Sequence, residues 1–176
     1  MDMKQVLTDC GYDVVETMDV STLEFMDDVR SMCAADRCHA YGKTWSCPPA
    51  IGSLDEMREK ASHYSKGFLM QTLGEREDTM DWEAMMEAAD KNKEHGEKFV
   101  EYILANKLDC FFMTSGACTR CEKCTYPDAP CRFPDRVYPS MEACGLFVSK
   151  VCTDNGVKYN YGAETIAYTS CLLYND

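Results

Sequence analysis

Four cysteines at Cys118-x2-Cys121-x2-Cys124-x6-Cys131 constrain this chain more than any other feature of it. Two-residue gaps let successive thiolates converge on one centre from a tight loop, and they leave the intervening amides free to point at sulfur. The first three carry bacterial-ferredoxin spacing, but there the fourth cysteine follows after three residues with proline directly behind it. Here the gap is six, and Pro134 stands three positions after Cys131. Four thiolates also suit zinc, although zinc knuckles usually pair two Cys-x2-Cys halves across a longer loop. The spacing favours one [4Fe–4S] cluster on Cys118, Cys121, Cys124 and Cys131, with zinc as the alternative.

A second constellation lies earlier, at Cys33-x4-Cys38-x8-Cys47, closed by Pro48 and Pro49. Three cysteines in so short a stretch predict a second metal centre rather than ordinary core thiols. The prolines rigidify the loop behind the third ligand, and Tyr41-Gly42 supplies a turn. A fourth position is left to fill. Cys131 could serve it by the exchange seen in two-cluster ferredoxins, or Cys144 could. If no protein thiolate does, an open iron turns an electron carrier into a catalyst. His39 adjoins Cys38 and is a weaker ligand candidate. Cys10, Cys110, Cys152 and Cys171 stand apart and read as buried structural thiols.

Twelve cysteines among 176 residues sit just below the density of a disulfide scaffold. Met1 to Val15 lacks the basic-then-apolar layout of a signal peptide. The expected setting is therefore a reducing cytoplasm, where clustered cysteines hold metal more often than each other. No apolar run approaches a membrane span. The net charge of -12 repels phosphate backbones and argues against nucleic acid; it could instead steer a basic redox partner protein.

Without linker or repeat, residues 1–176 are expected to form a single domain. A short helix over 2–10 ends at Gly11, followed by a strand at Tyr12 to Val15. Capping-box pairs, Ser21 with Glu24 and Ser53 with Glu56, open helices through about Cys33 and Ser65. Phe68-Leu69-Met70 reads as a buried strand closed by Gly74. A long helix from about Thr79 to Asn106 carries a stripe of Trp82, Ala89, Gly96 and Ile103 toward the core, joined by Met85, Met86, Phe99, Val100 and Leu104. Asp81, Glu87, Asp90, Glu94, Glu97 and Glu101 face away. Gly96 on that stripe predicts close contact with a neighbouring element. Asp109 to Thr114 is a strand, Ser140 opens a helix ending near Gly156, and 158–161 with 165–174 read as a hairpin around Gly162. The sum is α+β, a small mixed or antiparallel sheet packed with helices and carrying cysteine-rich metal-binding loops. His63 and His95 are expected at the surface.

Four ordered motifs are familiar together. They are Cys33-x4-Cys38-x2-Tyr41-Gly42-Lys43-Thr44-Trp45-Ser46-Cys47-Pro48-Pro49-Ala50, Gly116-Ala117-Cys118-x2-Cys121-x2-Cys124, Cys131-Arg132-x-Pro134, and Pro139-Ser140-Met141-Glu142-Ala143. Across roughly residues 25–175 the chain resembles a prokaryotic family of predicted metal-binding proteins, domain of unknown function 2284. The resemblance implies a cytoplasmic protein with cysteine-ligated metal of iron–sulfur type and no settled activity. It points to Cys33, Cys38, Cys47, Cys118, Cys121, Cys124 and Cys131 as ligands.

Phosphate-binding, dinucleotide, zincin and serine-hydrolase motifs are absent from the sequence. Three readings follow: an electron carrier with one or two [4Fe–4S] clusters, an enzyme with an open iron or a redox thiol pair, or a structural zinc module. Catalytic residues, substrate and oligomeric state are not written in the sequence.

Overall fold

A computed structural model describes residues 2–175. Four strands, β1 (Val14–Met18), β2 (Lys66–Glu75), β3 (Cys110–Met113) and β4 (Thr165–Tyr174), form one sheet in the order β1-β2-β4-β3. Every adjacent pair is antiparallel. The longest ladder joins β2 to β4 from Lys66 opposite Tyr174 to Glu75 opposite Thr165. Because β4 arrives last and slots between β2 and β3, those two strands run parallel, linked by the long helix between them.

Side chains alternate across the strands, so the sheet has two apolar faces. Met18, Leu69, Phe111, Met113, Cys171 and Leu173 point to one. There they meet α3 (Leu54–Ser62), a turn over 140–146, and α5 (Val148–Asp154). Val15, Phe68, Met70, Phe112 and Leu172 point to the other, against α1 (Met3–Asp9) and α4 (Trp82–Asn106). The fold is α+β in three layers. Fully burying a Leu or Phe contributes roughly 1.5–3 kcal/mol, and Leu69, Phe111, Phe112, Leu172 and Leu173 are all essentially inaccessible.

Several local expectations hold and several do not. The capping box of α3 forms in both directions: Ser53 N–H donates to Glu56 at 2.6 Å, and Glu56 N–H donates to Ser53 Oγ at 3.2 Å. The Ser21–Glu24 pair opens no helix. Ser21 lies in a 3-10 turn capped by Asp19, Phe25 is drawn into a bridge with Leu146, and α2 (Asp27–Ala34) starts only afterwards.

The buried face of α4 is Ala88, Asn92, His95, Phe99, Val100 and Ile103. Trp82 is 69% exposed and Met86 45%, so the inward stripe is rotated from the expected one. His95 is a core residue, paired at 2.9 Å with Thr72 Oγ1, whereas His63 is exposed.

Ser140 opens a turn rather than a helix: residues 141–145 end at Gly145, which adopts φ +91 and packs against Leu54 and Met26, and only α5 beyond it is helical. Nor is the tail a hairpin. Residues 158–161 lie across the sheet face, where Lys158 O accepts from the Gln71 side chain at 2.9 Å and Tyr161 Oη donates to it at 2.7 Å.

Candidate metal centre

The Cys118 loop leaves the sheet at the end of β3 and is closed at its base. Thr114 N–H donates to Pro139 O at 2.8 Å, and Met141 N–H donates to Thr114 O at 3.1 Å. Within it, the six residues separating Cys124 from Cys131 form a closed turn: Thr125 Oγ1 donates to Pro130 O at 2.9 Å, and Ala129 N–H donates to Thr125 O at 3.0 Å. Arg132 reaches back to Lys123 O at 3.0 Å. These bonds explain how an extended gap still returns the fourth cysteine to the first three.

Cys118, Cys121, Cys124 and Cys131 line one small cavity with Trp45, Arg120 and Phe133. Two of the sulfurs already accept amide hydrogens from two residues on. Phe133 N–H donates to Cys131 Sγ at 3.4 Å. Burial pushes the Cys118 thiol up, and a hydrogen bond from the Arg120 amide pulls it back. Such bonds stabilise a thiolate more than a thiol, which is what a cysteine ligand requires.

The other trio is built on the end of α2 and the loop behind it. Asp36, at φ +48, braces that loop. Its carboxylate accepts from Lys43 Nζ at 2.7 Å and from the Tyr41 amide at 2.9 Å, and both bonds hold its pKa low. Gly42 N–H donates to Pro48 O at 2.8 Å. Cys33 is half-buried, Cys38 exposed and Cys47 buried.

Burial raises the Cys33 thiol first, and the neighbouring Cys38 and Cys47 raise it further. Cys33 Sγ also approaches Glu142 O at 3.7 Å, on the turn that carries Cys144. Cys144 itself is fully buried, its thiol pushed up to about 12 by desolvation. Beside Cys33 and Cys144 stands Arg30, which donates to Gly52 O at 2.8 Å while its Nε and Nη2 are buried without a partner. His39 is exposed.

The two loops touch, although 72 residues separate the joined positions. Cys118 N–H donates to Ser46 Oγ at 2.9 Å. Trp45 Nε1 donates to Ala129 O at 3.2 Å, and its ring meets Tyr126 edge-on at 4.9 Å. Trp45 and Ser46 therefore act as the clasp between the motifs. Both stand directly before Cys47 in the first of the four sequence motifs, but nothing in that motif links them to the Cys118 loop.

Cys131 lines the same cavity as Cys118, Cys121 and Cys124, while Cys144 lies behind Cys33. All twelve cysteines are free of disulfides. Cys10, Cys152 and Cys171 are buried and Cys110 half-buried, as structural thiols should be. Among the described residues, no three His, Cys, Asp or Glu side chains stand grouped to hold a metal ion. No described helix is long and apolar enough to cross a membrane.

A family model described as predicted metal-binding protein (DUF2284) matches residues 16–174. No curated protein matches the chain, and no solved structure does.

Proposed function

The chain belongs to the family of predicted metal-binding proteins, and on that premise we propose that it is a cytoplasmic iron–sulfur protein working in electron transfer. The observation that carries this reading is the cavity lined by Cys118, Cys121, Cys124 and Cys131, with amide hydrogens aimed at two of its sulfurs. The donor set is all thiolate, and no carboxylate or imidazole lines the cavity. It suits a [4Fe–4S] cluster, which when bound supplies one-electron redox chemistry at a potential tuned by hydrogen bonds to sulfur. The chain's own part is to hold the thiolates, donate those amide bonds and shield one side with Trp45 and Phe133.

Cys33, Cys38 and Cys47 are proposed to hold a second centre, with Cys144 as candidate fourth ligand. The orphaned Nε and Nη2 of Arg30 support it, because clustered thiolates carry negative charge that a buried cation offsets. The acidic chain is suited to a basic redox partner protein, so electron transfer to that partner should slow as salt screens the attraction.

Iron, sulfide and zinc analysis of anaerobically prepared protein tests the assignment. Cys121→Ser should strip iron and bleach the visible charge-transfer band. A variant that keeps its full iron content defeats the reading, and stoichiometric zinc without sulfide replaces it with a structural zinc module.

A further inference from the structure

A second cavity, of about 380 Å³, lies between α4 and the Cys118 loop. Its size falls within the range of small-molecule sites. It shares two wall residues, Cys118 and Arg120, with the cavity lined by the four cysteines. We propose that it binds a small organic carboxylate bearing a hydroxyl at its far end, held next to the metal centre.

Charge is the first argument. In a chain of net charge -12, Lys93, Arg120 and Arg136 line this cavity with Glu97 as the one carboxylate on its wall, while Asp90 pairs Lys93 at 3.0 Å and Glu101 pairs Arg136 from outside the lining. The two arginines are fixed in place. Arg120 pairs with Glu97, and Arg136 pairs with Glu101 at 2.6 Å. Arg120 keeps its Nε buried and unpartnered. A guanidinium held this way is ready for a carboxylate, whose oxygens match its planar donors.

Unsatisfied polar atoms are the second. Tyr12 and Asn92 are 3% and 5% exposed, and both line the cavity. Asn92 Oδ1 and Tyr12 Oη make no hydrogen bond of good geometry among the described residues, although the Ser170 hydroxyl, also on the wall, stands beside Tyr12. Buried polar groups are seldom left in that state unless something else completes them. A ligand hydroxyl does both jobs, donating to Asn92 and accepting from Tyr12. Asn92 precedes Glu97, the anchor of Arg120, by five residues, or about 7.5 Å along the helix. The two contacts therefore sit at different heights along α4, and Phe112, Tyr138 and Val100 supply apolar wall suited to a ring that carries both groups.

The third argument is Gly96. Glycine weakens a helix interior, yet packing does not demand it here. A Cβ at this position would meet only Tyr12 Oη, at 3.9 Å, an ordinary contact. What the missing side chain preserves is the open cavity.

Calorimetry with 4-hydroxybenzoate on the anaerobically purified protein tests the site, and it does so whether the metal is iron or zinc. Saturable binding is expected, at least tenfold weaker for benzoate and for phenol. Gly96→Leu should abolish binding with metal content unchanged. Should that variant not fold, the nearly isosteric Tyr12→Phe decides, with an expected severalfold loss. No heat with 4-hydroxybenzoate overturns the proposal. Equal affinity in the variant that folds overturns it too, as does inorganic phosphate binding as tightly as the carboxylate, which would mark a general attraction of anions to arginine.

Discussion

Cys118 and Ser46 are joined by a 2.9 Å hydrogen bond from the cysteine amide to the buried hydroxyl, so a residue of the Cys47 loop holds the backbone of the Cys118 loop. Neither cysteine loop is an independent unit. Each depends on the other for its shape.

Ser46→Ala should therefore weaken the protein at a distance from its own loop. Leaving the Cys118 amide unsatisfied costs about 1–3 kcal/mol. Denaturant titration should show the loss, and chelator challenge should remove metal from the Cys118 loop faster than in wild type. Unchanged stability together with unchanged metal release would mean that the two loops are held by the Trp45 contacts alone.

Two glycines should respond in opposite directions. At Gly74 an added Cβ would lie 2.4 Å from Ala88 Cβ, where β2 passes beneath α4. Gly74→Ala should cost about 1–3 kcal/mol as the helix is pushed outward. At Gly96 the added methyl fits, so Gly96→Ala should stabilise α4 by up to about 1 kcal/mol. Thermal melts should separate the pair by several degrees, and a fall in both variants would contradict the placement of α4.

That contrast also marks what the sequence could and could not reveal. Close contact was expected at Gly96, because its spacing from Trp82, Ala89 and Ile103 suggested an inward stripe. The true inner face includes Asn92 and His95, polar residues that a search for apolar periodicity assigns to solvent. Their burial depends on partners in other elements, Thr72 for His95 and the cavity for Asn92, which no local pattern contains. Local signals fared better where the partner was also local, as in the Ser53–Glu56 box of α3. The β4 strand was legible as a strand, but its neighbours were not, since its pairing with β2 and β3 is fixed by the packing of both sheet faces. The cysteine spacing identified the candidate ligands, while the clasp through Trp45 and Ser46 is a tertiary contact and left no periodic trace.

His95 should make stability depend on pH. Burial lowers its pKa, with Lys91 and Lys98 adding to the effect and Asp13 and Glu94 opposing it. The ring bonds Thr72 at 2.9 Å and meets Tyr12 edge-on at 5.5 Å. The unfolded chain takes up a proton there below about pH 6.5, whereas the folded chain resists until lower pH. Stability is thus full above the unfolded value and falls as the pH drops toward the folded one. Denaturant midpoints between pH 7.5 and 5 should decline in wild type and decline less in His95→Gln. Parallel curves would assign the acid sensitivity to other groups.

Cys33, Cys38 and Cys47 are electrostatic neighbours, with Cys144 buried behind Cys33 and the unpartnered nitrogens of Arg30 beside them. Confined thiolates repel one another unless protonated or bound to a cation, and a metal satisfies all of them together. With both centres filled by cubane clusters the protein should carry about eight irons, and Cys47→Ser should lose about half while keeping the signal of the other cluster. Arg30→Met should loosen the same half, because the thiolate charge is then left without its buried counterion. Cys144→Ala discriminates further. Loss of metal identifies it as the fourth ligand, whereas retention leaves a three-cysteine site with a coordination position open to a small molecule. Four irons in fully reconstituted wild type, with Cys33, Cys38 and Cys47 all freely alkylated, would reduce the trio to thiols packed around an arginine.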